Sequence, residues 1–189
     1  MTAWAGTYFD HYEKFFNKAS SREVFEIDGF DRKVQILAYK NVYSGCITFA
    51  SIGLASFSPV IGTVAELIVT VDDGWDDISK IIAETINYIV NKPMRIGWGL
   101  SVSGEKNISP LFAEKYNKDA LYVTHPMGLP GEFYSVVKPK SNIVGEIYMG
   151  VFISSQENEL FKKIGAEKFE KIMEESNVDP FHVSRNSIV

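Results

Sequence analysis

The sequence predicts an α+β fold: one mixed, largely antiparallel β-sheet with a long central helix, an N-terminal helix and C-terminal helices. Three observations predict it. Apolar residues recur at helical spacing at both ends of the chain and once in the middle, while the stretches between carry alternating β-branched and aromatic residues. No repeat, low-complexity tract or linker divides the chain. Its 189 residues suit a single domain spanning 1–189 with a sizeable core.

The elements follow in order. Ala5, Tyr8, Tyr12, Phe15 and Phe16 share one helical face, with Asp10, Glu13 and Lys14 mostly on the other, predicting an amphipathic helix that ends near Lys18. From "REVFEID" onward the period changes. "KVQILAYKN" and "CITFASI" read as strands joined through a Gly45 turn, and "TVAELIVTVDD" alternates, with Ala65, Leu67, Val69 and Val71 on one face and Val64, Glu66, Ile68 and Thr70 on the other. Three strands in succession imply an antiparallel start to the sheet. Within the second of them, "CITFASIGLASFSP" softens into small residues, Ser51, Gly53, Ser56 and Ser58. These are expected to let the sheet turn tightly and pack against the long helix or the strands beside it.

That helix is "DDGWDDISKIIAETINYIVNKP". Trp75, Ile78, Ile82, Ile86 and Ile89 form its apolar stripe, acidic residues crowd its first turn, and Lys92-Pro93 closes it. Further strands are expected at "RIGWGLSV", "ALYVTHP", "FYSVVK" and "NIVGEIYMGVFIS". The connection "SGEKNISPLFAEKYNKD" is expected to hold one helical turn. Ser154 and Glu157 have capping-box spacing for a short helix with Leu160, Phe161 and Ile164. A last helix follows Gly165, with Ala166, Phe169, Ile172 and Met173 inward.

Composition narrows the function. Hydrophobic residues at 46% and charged residues at 23% are ordinary globular values, and 19 basic against 24 acidic residues give a net charge of -5. This disfavours direct nucleic-acid binding, which needs a concentrated basic face, and permits a basic partner. The N-terminal stretch lacks the features of a signal peptide and no run reaches the length of a membrane span, so a cytoplasmic protein is expected. Cys46 is the only cysteine, which rules out an internal disulfide or cysteine-rich zinc site.

Catalytic chemistry is thin. His11, His125 and His182 show no paired metal-ligand spacing, and Cys46 sits in a strand-like apolar run where a thiol is inert. The glycines of "GWGLSVSG" have neither the following helix nor the Lys-Ser/Thr of a phosphate loop. "DDGWDD" lacks the twelve-residue ligand ladder of a calcium loop. Neither a metal nor a cofactor is expected, and no acid, base and nucleophile set can be nominated, so no enzymatic activity is expected. Asp72, Asp73, Asp76 and Asp77 nevertheless form a dense anionic spot that a basic protein could use.

The order "ITFASIGLAS", "AELIVTVD", a long helix, "GWGLSVSG", "LYVTHP" and "EIYMGVFISS" resembles the suppressor-of-fused (SUFU) domain, in particular its short bacterial members similar to the YqcF antitoxin. The likeness runs from about Val42 to Phe181. Gly53-Leu54-Ala55-Ser56 is similar to the family's Gly-Leu-Ser-Asp, with Ser56 where the acidic residue would stand. The resemblance implies a protein-binding role: an immunity protein that neutralises a toxin, commonly a nuclease, or a module that sequesters some other regulatory protein. It further implies that a partner segment inserts as an added strand between "MRIGWGLSV" and "VGEIYMGVF". The partner-binding residues are then Gly97, Trp98, Gly99 and Leu100 on one side and Glu146, Tyr148 and Gly150 on the other. The glycines would allow backbone approach, and Trp98 and Tyr148 would serve as aromatic anchors. Where the relatives carry an acidic contact this chain has Trp98, so its partner differs.

Overall fold

The computed structural model describes residues 3–72, 76–104 and 107–189. Helix α1 (Ala3–Phe16) comes first, and it stops before the expected Lys18 because Asn17 takes a left-handed conformation, φ 64°. Strands β1 (Ser21–Glu26), β2 (Lys33–Lys40) and β3 (Ile47–Ile52) form an antiparallel meander. A 3-10 turn (Leu54–Phe57) and the short helix α2 (Ser58–Ile61) lead into β4 (Ala65–Val71), which pairs antiparallel with β3. Helix α3 (Ile78–Asn91) follows, then β5 (Leu100–Ser103), α4 (Pro110–Tyr116), β6 (Ala120–Thr124), β7 (Ser135–Val137) and β8 (Val144–Ile153). Helices α5 (Ser155–Ile164) and α6 (Ala166–Glu175) end the regular structure, divided at Gly165.

The strands make one eight-stranded sheet in the order β1-β2-β3-β4-β8-β6-β5, with β7 pairing the start of β8 beyond the end of β6. Among the described pairs only β4 and β8 run parallel, so the sheet is mixed and largely antiparallel. Both faces are covered. Leu67, Val69, Tyr148 and Phe152 face α3 and α4, where Ile78, Ile82, Ile86, Ile89 and Phe112 close one core. Ile68, Ile147, Met149 and Val151 face the other way, against Tyr8, Tyr12 and Phe16 of α1, Phe161 of α5 and Phe169 of α6. All seven residues of β4 are therefore buried, the mark of a strand in the middle layer of three.

Two expectations need correction. The strand expected over "RIGWGLSV" begins only at Leu100, because the Leu100 N–H turns back to the Gly97 carbonyl at 3.2 Å and Gly99 has φ 79°. The connection expected to hold one helical turn forms the seven-residue α4, opened by Pro110 and anchored by buried Phe112 and Tyr116. Trp75 and Asp73 lie outside the described residues.

The small residues after β3 do turn the chain tightly, and Leu54 and Phe57 join the α3-side core. They also cradle a carboxylate. Glu66 of β4 is fully buried, and it accepts hydrogen bonds from Ser51 Oγ (2.6 Å) and from the N–H groups of Gly53 (2.8 Å), Leu54 (3.2 Å) and Ala55 (3.1 Å). Three consecutive amides can converge on one side chain only if the backbone bends sharply. Gly53 allows this: its φ is 117°, and a Cβ there would lie 2.8 Å from the Lys33 carbonyl oxygen. Burial raises the Glu66 carboxyl to about 7 against the opposing pull of its donors.

The C-terminal stretch is held by a second buried carboxylate. Ser154 and Glu157 form the expected capping box, with Ser154 Oγ accepting the Glu157 N–H and the Glu157 side chain accepting the Ser154 N–H. Arg185 then reaches in from the tail, with Nη1 at 2.5 Å from Oε1 and Nη2 at 3.2 Å from Oε2, and the Ile188 N–H adds a bond at 3.1 Å. Lys118, also buried, donates to the Arg185 carbonyl at 2.9 Å. Burial works to raise the Glu157 carboxyl, but Arg185 and the two amides outweigh it and hold the group below its usual range.

Candidate functional site

At the end of the sheet where β8 begins, three aromatic side chains form a row. Trp98 precedes β5, His125 follows β6, and Tyr148 lies on β8. The rings of Trp98 and His125 stack at 6.1 Å between centroids, and those of His125 and Tyr148 lie 5.8 Å apart. The register explains the row: Leu100 pairs with Val123 and Thr124 with Met149, so the residues just past these pairs come side by side. Trp98 is 47% exposed, whereas Tyr148 is buried. A cleft of about 380 Å³ opens beside the row, lined by Arg95, Gly97, Trp98, Gly99, Leu100 and Tyr148.

Hydrogen bonds fix both ends of the row. The Tyr148 hydroxyl donates to Glu146 Oε2 at 2.6 Å; burial first, and then this bond, push its phenol pKa up, so it stays a neutral donor. Trp98 Nε1 donates to Glu170 Oε1 of α6 at 2.8 Å. The same oxygen accepts from the Tyr122 hydroxyl (2.8 Å) and Thr124 Oγ1 (2.6 Å). An exposed tryptophan is thus held in one orientation by a polar knot behind it, which lowers the entropy it would lose on being covered by another protein.

The structure therefore brings Gly97, Trp98, Gly99, Leu100, Glu146 and Tyr148 to one end of the sheet. Gly150 does not belong with them. It pairs with Val69 on one edge and Val123 on the other, and a Cβ there would sit 3.0 Å from the Leu121 side chain, so it makes room for a neighbouring core residue and gives a foreign backbone no approach. Nor is there a slot between β5 and β8 along the paired strands: β6 fills it. The strand edge open at this side of the sheet is the outer one of β5, which among the described strands pairs only with β6.

Of the acidic residues, Asp72 lies at the far end of β4 from this site, since Ala65 is opposite Glu146 and Asp72 comes after Val71. Asp72 is already engaged: its Oδ1 accepts the Val183 N–H at 3.0 Å and its Oδ2 lies 3.0 Å from His182 Nδ1. Asp76 and Asp77 are exposed before α3. His11 bonds the Phe133 carbonyl at 3.0 Å, and burial lowers its pKa. The Cys46 thiol is buried and its pKa is raised, chiefly by that burial, which makes it a poor nucleophile. Among the described residues no three metal-binding side chains cluster, and no helix is long and apolar enough to cross a membrane.

Periodicity missed Glu66, Glu170 and Arg185. Glu66 left one usable signal, a lone carboxylate inside the apolar run "AELIVTV". Glu170 reads as one more acid on a charged helix face, and nothing local links Arg185 to Glu157, 28 residues earlier.

No family model and no curated protein matches the sequence. Solved structures match the fold. A structure from Neisseria gonorrhoeae FA 1090, described as a SUFU (suppressor of fused protein) homolog, has a TM-score of 0.74 and 16% identity, covering 100% of this chain and 98% of its own. A Sufu–Fu complex gives a TM-score of 0.67 at 8% identity, covering 98% of this chain and 92% of that one. Drosophila Suppressor of Fused gives 0.68 at 10%, this chain spanning 51% of its length. The fold is SUFU-like.

Proposed function

We propose that this SUFU-like chain works by binding another protein at the Trp98 end of its sheet, and that the partner is a toxin, in particular a basic nuclease domain, which it neutralises as an immunity protein. One observation carries the docking reading: Trp98 is a half-exposed indole on the approach to the terminal strand, held rigid by Glu170 and flanked by an open cleft. The Sufu–Fu complex, which shares this fold, supports a protein-binding reading. The toxin partner and the absence of catalysis rest on the sequence resemblance and on the lack of a nominable catalytic set.

The mechanism is edge binding. An extended segment of the partner adds to β5, its side chains reach the cleft beside Trp98, and the indole is desolvated under it. The net charge of -5, with exposed Asp76 and Asp77 away from the contact, speeds encounter with a basic domain and contributes little to holding it. The same edge would serve the second reading, a module that sequesters a non-toxin regulator, and only the partner distinguishes the two.

The test starts from the product of the adjacent gene. It is expected to be toxic when expressed alone, to be rescued by this chain, and to bind it in surface plasmon resonance. Trp98→Ala should then cost about 2 kcal/mol, mostly through faster dissociation. Unchanged dissociation for Trp98→Ala would remove the docking site. Binding without toxicity would favour the sequestering module over the immunity protein.

A further inference from the structure

Behind Trp98, on the α6 side of β6, a cavity of about 500 Å³ lies between the end of β6, the segment that follows it, α6 and the tail. Its wall is largely apolar and aromatic, with Tyr122, Tyr134, Met173 and Pro180, and two carboxylates, Glu170 and Glu174, line it as well. Pockets of this size and make-up hold ligands that carry an apolar stem and one polar head.

The charges say which head. All three hydrogen bonds described for Glu170 end on Oε1, and together they fix the plane of its carboxyl group. Oε2 receives no donor among the described residues. Glu174 stands four residues further along α6, so the two carboxylates are neighbours on one helix face and repel each other. None of the ion pairs described among these residues includes either. Among the described residues the lining includes no lysine or arginine, its one basic side chain being His125, which stacks on Trp98, so the two carboxylates face the tyrosine rings without a fixed cation between them.

We infer that this cavity receives an arginine side chain of the protein partner, with the guanidinium between Glu170 Oε2 and Glu174 and its plane against a tyrosine ring. Arginine suits the site better than lysine, because a planar, weakly hydrated cation can bond a carboxylate and stack on an aromatic face together. The inference rests on the docking reading and deepens it: Trp98 lines the strand-edge cleft and bonds Glu170 in the wall of this cavity, so a partner strand on β5 can send one basic side chain past the indole.

The indole N–H of Trp98 is a built-in reporter, since it donates to the same carboxylate. In nitrogen-15 NMR of the full chain, its resonance, identified by its loss in Trp98→Phe, should shift saturably on titration with N-acetylarginine amide. N-acetylcitrulline amide, of the same shape without the charge, should bind at least about tenfold more weakly. Glu170→Gln keeps an oxygen for the three donors, so the fold survives, and it should lose the arginine response; Glu174→Gln should weaken it. Equal responses to the two probes, or undiminished binding in both variants, would overturn the inference. A toxin or regulator that binds both variants as tightly as wild type would overturn it too while leaving the docking reading intact. If instead the probe binds and Trp98→Ala leaves partner binding untouched, the docking reading falls and the cation site stands.

Discussion

Glu66 and Glu157 are both completely buried carboxylates, yet the protein treats them in opposite ways. Glu66 meets dipoles only, a serine hydroxyl and three consecutive backbone amides, while Glu157 meets a guanidinium as well as amides. Dipoles fixed by a turn do not fully replace lost water, so burial wins at Glu66 and its pKa rises to about 7. At Glu157 the cation tips the balance and the pKa falls. The difference teaches what each group is for. Glu66 organises one turn between adjacent strands, whereas Glu157 fastens the chain end to a helix start through a contact 28 residues long.

The largest effect should come from breaking the ion pair. Arg185→Ala leaves Glu157 buried without its cation and releases the tail that crosses Lys118 and Asp72, so urea melts should show a loss of about 3 to 5 kcal/mol. A loss under about 1 kcal/mol would mean that the tail is not part of the cooperative unit.

The next test opposes the two carboxylates through pH. Glu66 holds its proton in the folded state up to about 7 but only to its ordinary value of 4.5 when unfolded. Its stabilising contribution is therefore full below about 4.5 and disappears as pH rises through about 7, some 3 kcal/mol at roughly 1.4 kcal/mol per unit. Glu157 has the opposite sign: its contribution is present above its ordinary value and is lost as pH falls through its lowered folded value. Glu66→Gln should accordingly cost about 2 kcal/mol at pH 5, where its amide group faces donors, and much less at pH 7.5. If wild type instead gains on the variant between those pH values, the four donors outweigh burial and the nest is a site for an anion.

The smallest effect sharpens the contrast between these interior groups and the candidate interface. Trp98→Ala should change stability by about 1 kcal/mol or less, since the side chain is half-exposed and its one bond lies at the surface. A melt as damaged as that of Arg185→Ala would make Trp98 a structural residue and remove the distinction on which the docking proposal depends.

These tests also mark how far the sequence could be read. Periods of 3.6 and 2 located the helices around Tyr8, Ile82 and Phe169 and the strands around Leu37, Phe49, Leu67 and Met149, and the Ser154–Glu157 spacing announced a cap that is present. Trp98 and Tyr148, which the sequence offers as aromatic anchors, stand in one row with His125. The turn at Gly97 reads as strand because apolar Ile96, Trp98, Leu100 and Val102 alternate with small residues straight through it into β5. Gly150 reads as an approach for a partner because a glycine in a strand does not say which neighbour needs the space.

What the sequence determined by itself was local: which segments are helical, which are extended, and which side of each is apolar, because those depend on residues two to four positions apart. The tertiary structure alone decided that β6 would lie between β5 and β8, that Glu66 would meet the amides of Gly53, Leu54 and Ala55, that Arg185 would find Glu157, and that Trp98 would lean on Glu170, 72 residues later. Each of these is a pairing of polar groups or strand edges whose partner is chosen by strand order. Polar residues carry no periodic signal for that choice, since a carboxylate looks the same in sequence whether water, an amide or a guanidinium will surround it.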